Sequence, residues 1–105
     1  MSNNEPFSEQ YRIVAKRWVE ADAAARMLEE TKTAVLAQMK SRLGEMTDAK
    51  AEKIVKSSTE WNDFLQKMVN ARTSANLAKV QLKYIEMKYF EWQGANATAR
   101  AEMRM

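Results

Sequence analysis

The chain has no cysteine and no histidine, and its 105 residues include only two glycines and one proline. Without the first two residue types there is no thiol nucleophile, no disulfide, and no zinc or haem site of the usual kinds. The commonest general base is missing too. So few glycines and prolines leave little room for the turns of an all-β fold. The composition therefore predicts an all-α protein that is not an enzyme and uses no cofactor and no metal.

Long apolar runs are also missing. No stretch of the sequence approaches the roughly 18 apolar residues of a membrane-spanning helix. The first seven residues lack the basic and apolar regions of a signal peptide. We therefore expect a cytoplasmic protein with no membrane partner. The net charge of +3 is compatible with nucleic-acid binding and with many other soluble helical proteins.

The first half of the chain indicates a disordered arm followed by a long helix. The arm is predicted over residues 1–7, and Ser8 is predicted to cap a first helix over about residues 8–43. Gly44 follows, and glycine adopts the left-handed conformation that ends helices at the least cost. The hairpin domain as a whole is predicted over residues 8–94.

The second half indicates a short helix and another long one. Thr47 or Asp48 is predicted to cap a helix over residues 48–56. Ser57, with Glu60 three residues later, forms a capping-box pattern that predicts a second long helix over about residues 58–93. Gly94 is predicted to end that helix. Residues 95–105 are expected to form a helical or frayed tail.

The second long helix carries an apolar stripe at alternating steps of four and three residues. A sustained 3.5-residue repeat keeps one stripe facing one partner helix in a left-handed coiled coil. The stripe consists of Phe64, Met68, Ala71, Ala75, Ala78, Leu82, Ile85, Tyr89 and Trp92. The first helix has a matching, less regular stripe. The two stripes predict a long antiparallel helical hairpin of the coiled-coil type.

Hairpin geometry fixes which residues face each other. Facing residue numbers should add up to about 100, given the position of the connection and the helical rise. The expected pairs are Ala25 with Ala75, Ala21 with Ala78, Trp18 with Leu82, Tyr11 with Tyr89, Phe7 with Trp92, and Met39 with Trp61. Small residues then meet at the middle of the hairpin, and large residues meet at its ends.

The second long helix has more apolar residues than this one stripe uses. The surplus consists of Val69, Leu77, Val80, Tyr84 and Met87. An exposed patch of this size exceeds what soluble monomers usually show. A second copy of the chain, giving a dimer of hairpins that forms a four-helix bundle, would cover it. The alternative is that the short helix and the tail fold back over it.

Two sets of charged residues are candidates for other sites. One set could attract a phosphate backbone, which makes a nucleic-acid-binding accessory protein the alternative function. It consists of Lys50, Lys53, Lys56, Lys79 and Lys83. The acidic pairs Glu29/Glu30 and Glu60/Asp63 lack the histidines of a bundle metal site. We interpret the acidic pairs as surface charge and helix capping.

The end of the chain reads Asn96-Ala97-Thr98-Ala99-Arg100-Ala101-Glu102-Met103-Arg104. Over the second helix and this tail, the sequence resembles the small, charged, coiled-coil accessory proteins of tailed phages and prophages. The resemblance implies an accessory role in the host-cell cytoplasm, near DNA recombination functions or as an inhibitor of a host complex. It assigns no residue a role.

Overall fold

The structure is a computed structural model that describes residues 5–104. It contains the helices α1 (Phe7–Ser41), α2 (Asp48–Lys56) and α3 (Thr59–Arg104). The helices α1 and α3 pack side by side in opposite directions, and the described chain is 84 Å long but only 19 by 18 Å across. The predicted all-α helical hairpin with a short connecting helix is confirmed.

The connection between α1 and α3 begins as the sequence predicted. Gly44 has a φ of 80°, which is the left-handed conformation expected there. The α1 helix itself ends two residues earlier than predicted, at Ser41. The hydroxyl of Thr47 accepts a hydrogen bond from the Lys50 N–H at 3.3 Å, so Thr47 caps α2.

Ser8 is not the N-cap of α1, and that prediction is wrong. Pro6 is the N-cap, and its carbonyl accepts hydrogen bonds from the N–H groups of Glu9 and Gln10, each at 3.0 Å. No side chain caps this end of α1, and the restricted φ of proline and its missing N–H are compatible with the start of a helix. Phe7 therefore belongs to α1 and not to the predicted arm, whose residues 1–4 lie outside the described residues.

The prediction of a capping box formed by Ser57 and Glu60 is wrong, because Ser58 caps α3 and the Glu60 carboxylate accepts a hydrogen bond from Arg42. The hydroxyl of Ser58, not Ser57, accepts a hydrogen bond from the Trp61 N–H at 3.2 Å. Ser57 ends α2 instead, where its hydroxyl donates to the Lys53 carbonyl at 2.9 Å. Only two residues separate α2 from α3. Of the two neighbouring serines, Ser57 therefore ends α2 and Ser58 caps α3.

Gly94 does not end α3, which continues to Arg104. The prediction of a stop at this residue is wrong. A glycine inside a helix costs only about 1 kcal/mol relative to alanine, and the residues after it are rich in alanine, the best helix former. Of the tail predicted over residues 95–105, all but Met105, which lies outside the described residues, is helical.

The core of the hairpin consists of two apolar clusters separated by alanines. Val14, Leu82 and Ile85 form one cluster, with Trp18 packed against it. Between the clusters, Ala25 and Ala75 are both 0% exposed. The second cluster, at the turn, consists of Met39, Val55 and Trp61.

The predicted register of the hairpin agrees with these clusters. Trp18 packs with Leu82, and Met39 packs with Trp61. At the open end, the ring centroids of Phe7 and Trp92 are 5.8 Å apart. Because α1 begins at Phe7, the last twelve residues of α3 project about 18 Å beyond it.

Among residues 5–104, no helix is both long enough and apolar enough to cross a membrane.

Candidate interaction surface

The surplus apolar residues of α3 form an exposed surface. We call Val69, Leu77, Val80, Tyr84 and Met87 the outward face. Each of these residues is between 53% and 65% exposed, although all five are large and apolar or aromatic. The structure thus places the five residues predicted for an oligomer interface on one accessible side of one helix.

The position of the outward face follows from the helical repeat. Leu77 comes two residues after the buried Ala75, and Tyr84 comes two residues after the buried Leu82. Two residues turn an α-helix by about 200°. The outward face therefore lies on the side of α3 that points away from α1. With apolar residues on two opposite sides, α3 has the pattern of a helix that lies between two partners.

Neither α2 nor the tail covers the outward face. The Val55 side chain of α2 packs between Met39 and Trp61 at the turn, far from Tyr84 and Met87. The tail continues α3 in the same direction and does not turn back. The alternative in which the chain covers its own surplus apolar residues is therefore wrong for the residues that the structure describes.

A groove between α1 and α3 borders the outward face at the open end. One part, of about 510 Å³, is lined by Phe7, Tyr11, Ile85, Tyr89 and Phe90, together with Ser8 and Glu86. The adjoining part, of about 600 Å³, is lined by Tyr11, Trp18, Lys79, Val80, Leu82, Lys83, Tyr84, Glu86 and Met87. The groove and the outward face share Val80, Tyr84 and Met87. They form one continuous apolar surface with a few charged residues along it.

An ionic cluster joins the two long helices beside the alanine-lined middle of the hairpin. The Arg72 guanidinium donates two hydrogen bonds to the Glu29 carboxylate, from Nε at 2.8 Å and from Nη2 at 2.7 Å. Its Nη1 donates a third to Asp22 Oδ1 at 2.7 Å. Arg26 donates to the other oxygen of Asp22 at 2.9 Å. We call Arg72, Asp22 and Glu29 the Arg72 clasp.

The Arg72 clasp changes the acidity of its carboxyl groups. Hydrogen bonds from Arg72 lower the pKa of Asp22 and of Glu29 below their ordinary values, and burial opposes this effect. The nearby charge of Arg26 lowers the pKa of Asp22 further. The same hydrogen bonds raise the pKa of Arg72. The cluster is therefore fully ionised at neutral pH.

The Arg72 clasp was not predicted, and Glu29, interpreted as surface charge, is one of its members. A signal was available, because the register of the hairpin places residue 72 opposite residues 28 and 29. The other acidic candidate, Glu60, accepts a hydrogen bond from Arg42 at 2.9 Å and ties the end of α1 to the start of α3. Among residues 5–104, no group of three or more acidic side chains is arranged to hold a metal ion.

The five candidate lysines are divided between two parts of the molecule. Lys50, Lys53 and Lys56 lie on α2 at the turn, where Lys56 forms an ion pair with Glu52 at 2.9 Å. Lys79 and Lys83 lie on α3, and Lys79 is about 30 Å along α3 from its start. The fold does not bring the two sets together into one basic surface. Nucleic-acid binding stays a prediction, which a salt-sensitive gel shift with single- and double-stranded DNA would test.

Known protein families, curated proteins and solved structures offer no match to this chain.

Proposed function

We propose that the protein is a non-enzymatic helical module that binds other protein chains, and that it self-associates through the outward face of α3. One observation carries the proposal. Five large side chains on the side of α3 that points away from α1 are each more than half exposed. They extend from Val69 to Met87, which is about 27 Å along the helix. Soluble monomers rarely expose so many large apolar residues on one side of a helix.

The shape of the molecule supports the same proposal. A hairpin of two helices buries only one side of each helix, so a chain of this size gains little core from folding alone. The large residues in the core belong to two small clusters at the ends of the hairpin. Packing a second hairpin against α3 would give the outward face the partner that a helix with two apolar sides requires.

Sedimentation equilibrium over a wide concentration range tests the proposal. We expect the average mass to rise with concentration towards a whole multiple of the chain mass. The chain mass is 12.1 kDa. Light scattering at the same concentrations checks the result independently. A mass that stays at one chain up to near-millimolar concentration would refute self-association.

The resemblance to phage accessory proteins stays a prediction, and so does a cytoplasmic location. Within the proposed function, the outward face would also be the surface that contacts a host complex if the protein is an inhibitor. Purification of the protein with its bound partners from host cells, compared with the variant Met87→Lys, tests this idea. A host complex retained equally by both proteins would show that the outward face is not the contact surface.

A further inference from the structure

A second repeating stripe runs along the exposed side of α3 and continues into the projecting tail. We call this stripe the tail seam, and its positions alternate in steps of three and four residues, as in a coiled coil. All of its residues are exposed. The tail seam consists of Val80, Lys83, Met87, Phe90, Gly94, Ala97 and Ala101.

The two halves of the tail seam differ in the size of their side chains. The half beside α1 has long or bulky side chains, whereas the tail has only glycine and alanine. Such a stripe is complementary to itself when two copies run in opposite directions. We propose that two copies of the chain pair antiparallel along the tail seam, so that the tail of each copy packs beside the open end of the other. This inference rests on the proposed self-association and specifies its geometry.

One register aligns large residues with small ones. In that register Met87 faces Ala97 of the second copy, and Phe90 faces Gly94 of the second copy. The Lys83 stem lies over Ala101 of the second copy, where its alkyl chain can pack and its ammonium can reach water. These pairs all have the same sum of residue numbers, as an antiparallel register requires. The steps of three and four residues define two kinds of seam position, a and d. In each of these pairs an a residue of one copy faces a d residue of the other, as in antiparallel coiled coils.

The charges beside the tail seam select the same register. Glu86 then lies beside Arg100 of the second copy, and this opposite-charge contact occurs twice because the pairing is symmetric. Sliding one copy along the seam by seven residues places Lys79 beside Arg100 of the second copy instead. Sliding it by fourteen places Glu86 beside Glu86. The proposed register also places Glu91 beside Glu91 of the second copy, which is one repulsion against the two Glu86–Arg100 attractions. Both shifts lose those two attractions, and charges at these flanking positions determine partner orientation in coiled coils.

Gly94 supplies an independent argument. A glycine inside a helix costs about 1 kcal/mol relative to alanine, and it leaves room for a close approach by another group. Within the described chain, a Cβ atom added at Gly94 would meet nothing within 4 Å. Packing inside one copy therefore does not require a glycine here. In the proposed pair, the Phe90 ring of the second copy lies over this position, where a side chain would be in its way.

Disulfide trapping tests the register, and the absence of native cysteine makes each introduced thiol unique. The variants Met87→Cys and Ala97→Cys are mixed, allowed to exchange subunits, and oxidised with copper phenanthroline. We expect the mixed disulfide dimer to form at least tenfold faster than either variant forms a dimer with itself. Faster linkage of Met87→Cys to itself would indicate parallel chains and would overturn the pairing. Equally slow linkage in all three samples would overturn it too.

A size variant tests the close approach at Gly94. We expect Gly94→Leu to weaken self-association at least tenfold in sedimentation equilibrium, without loss of helix content in circular dichroism. Ala95→Leu is the matched control, because Ala95 is exposed and lies off the tail seam. Unchanged association of Gly94→Leu would refute the pairing.

The outcomes also separate this inference from the proposed function. If the native chain is a monomer, both fail. If it self-associates but the mixed disulfide does not form, only the antiparallel pairing fails. In the proposed register Val69 and Leu77 lie outside the overlap of the two tail seams, so the tail seam covers only part of the outward face.

Discussion

Arg72 of α3 binds Glu29 of α1 through two hydrogen bonds of 2.8 and 2.7 Å, although the two residues are 43 positions apart in the sequence. The same guanidinium reaches Asp22 at 2.7 Å, two turns away along α1. Bidentate pairs of this kind fix geometry more strictly than single contacts between point charges do. The Arg72 clasp therefore holds the register of the hairpin at its middle, where the buried side chains are alanines.

Replacement of Arg72 by leucine should lower the thermal midpoint of unfolding. It removes three hydrogen bonds between the helices and leaves Asp22 and Glu29 without their shared partner. Circular dichroism at a helix wavelength measures the midpoint. Arg72→Lys keeps the charge but cannot form the bidentate contact. We expect the thermal midpoint of Arg72→Lys to fall between those of the native chain and of Arg72→Leu. If both variants had the midpoint of the native chain, a structural role of the Arg72 clasp would be contradicted.

Lowering the pH should reduce the stability of the hairpin, because it protonates the carboxylates of the Arg72 clasp. The pKa values of Asp22 and Glu29 are lower in the folded chain than in the unfolded chain, where they are about 3.9 and 4.3. The clasp contribution is therefore fully present above about pH 5 and is lost as the pH falls below about 4 through the folded values. Urea unfolding at several pH values measures this loss.

The pH prediction has an internal control. Glu9 and Glu52 also have lowered pKa values, through Arg12 and Lys56 respectively, and they contribute in the same direction. Arg72→Leu retains those two contributions and removes only that of the clasp. Its loss of stability between pH 5 and pH 2 should be smaller than that of the native chain. An identical loss in both proteins would show that the clasp carboxylates do not cause it.

Ala75→Leu should destabilise the fold by about 1–3 kcal/mol, because a larger side chain overpacks a closed site. Ala75 is 0% exposed and lies where Ala25 is equally buried. Ala37→Leu is the control, since Ala37 is exposed on α1 and should change stability by less than about 0.5 kcal/mol. Urea unfolding measures both variants. A native-like stability for Ala75→Leu would mean that the helices do not approach closely at this point.

Met87→Lys should dissociate the oligomer while helix content is retained, because it places a charge in the contact without touching the core of the hairpin. Leu77→Lys makes the same change on the same face, outside the proposed overlap of the two tails. Because Leu77 belongs to the outward face, we expect it to weaken association too, but less than Met87→Lys does, since the pairing along the tail seam does not reach Leu77. Dissociation by Leu77→Lys alone would shift the interface towards the middle of α3.

The pattern of apolar residues was sufficient to predict the hairpin and its register. Nine positions at steps of four and three identified the side of α3 that faces α1, although Tyr89 and Trp92 at the open end are exposed. Hairpin geometry then placed Phe7 beside Trp92 and Met39 beside Trp61. The same pattern identified the exposed outward face, since residues left over from one apolar stripe must lie on another side. These features depend on spacing, which is visible in a single sequence.

The helix ends and the ionic contacts were harder to predict because they depend on competition between neighbours. Gly94 was predicted to end α3, but its cost of about 1 kcal/mol is smaller than the combined preference of the alanines that follow it. Ser57 and Ser58 both resemble caps, and only the space between α2 and α3 decides between them. The partners of Arg72 lie on another helix, so no local pattern reveals them.

The alanines in the middle of the hairpin also have a consequence for how the molecule opens. Large buried residues belong to one cluster around Trp61 and another around Leu82, and the two clusters share no member. We expect them to behave as separate cooperative units that lose amide protection independently. Hydrogen exchange would then show two free energies of local opening, and the open end could rearrange to accept a partner while the turn stays folded.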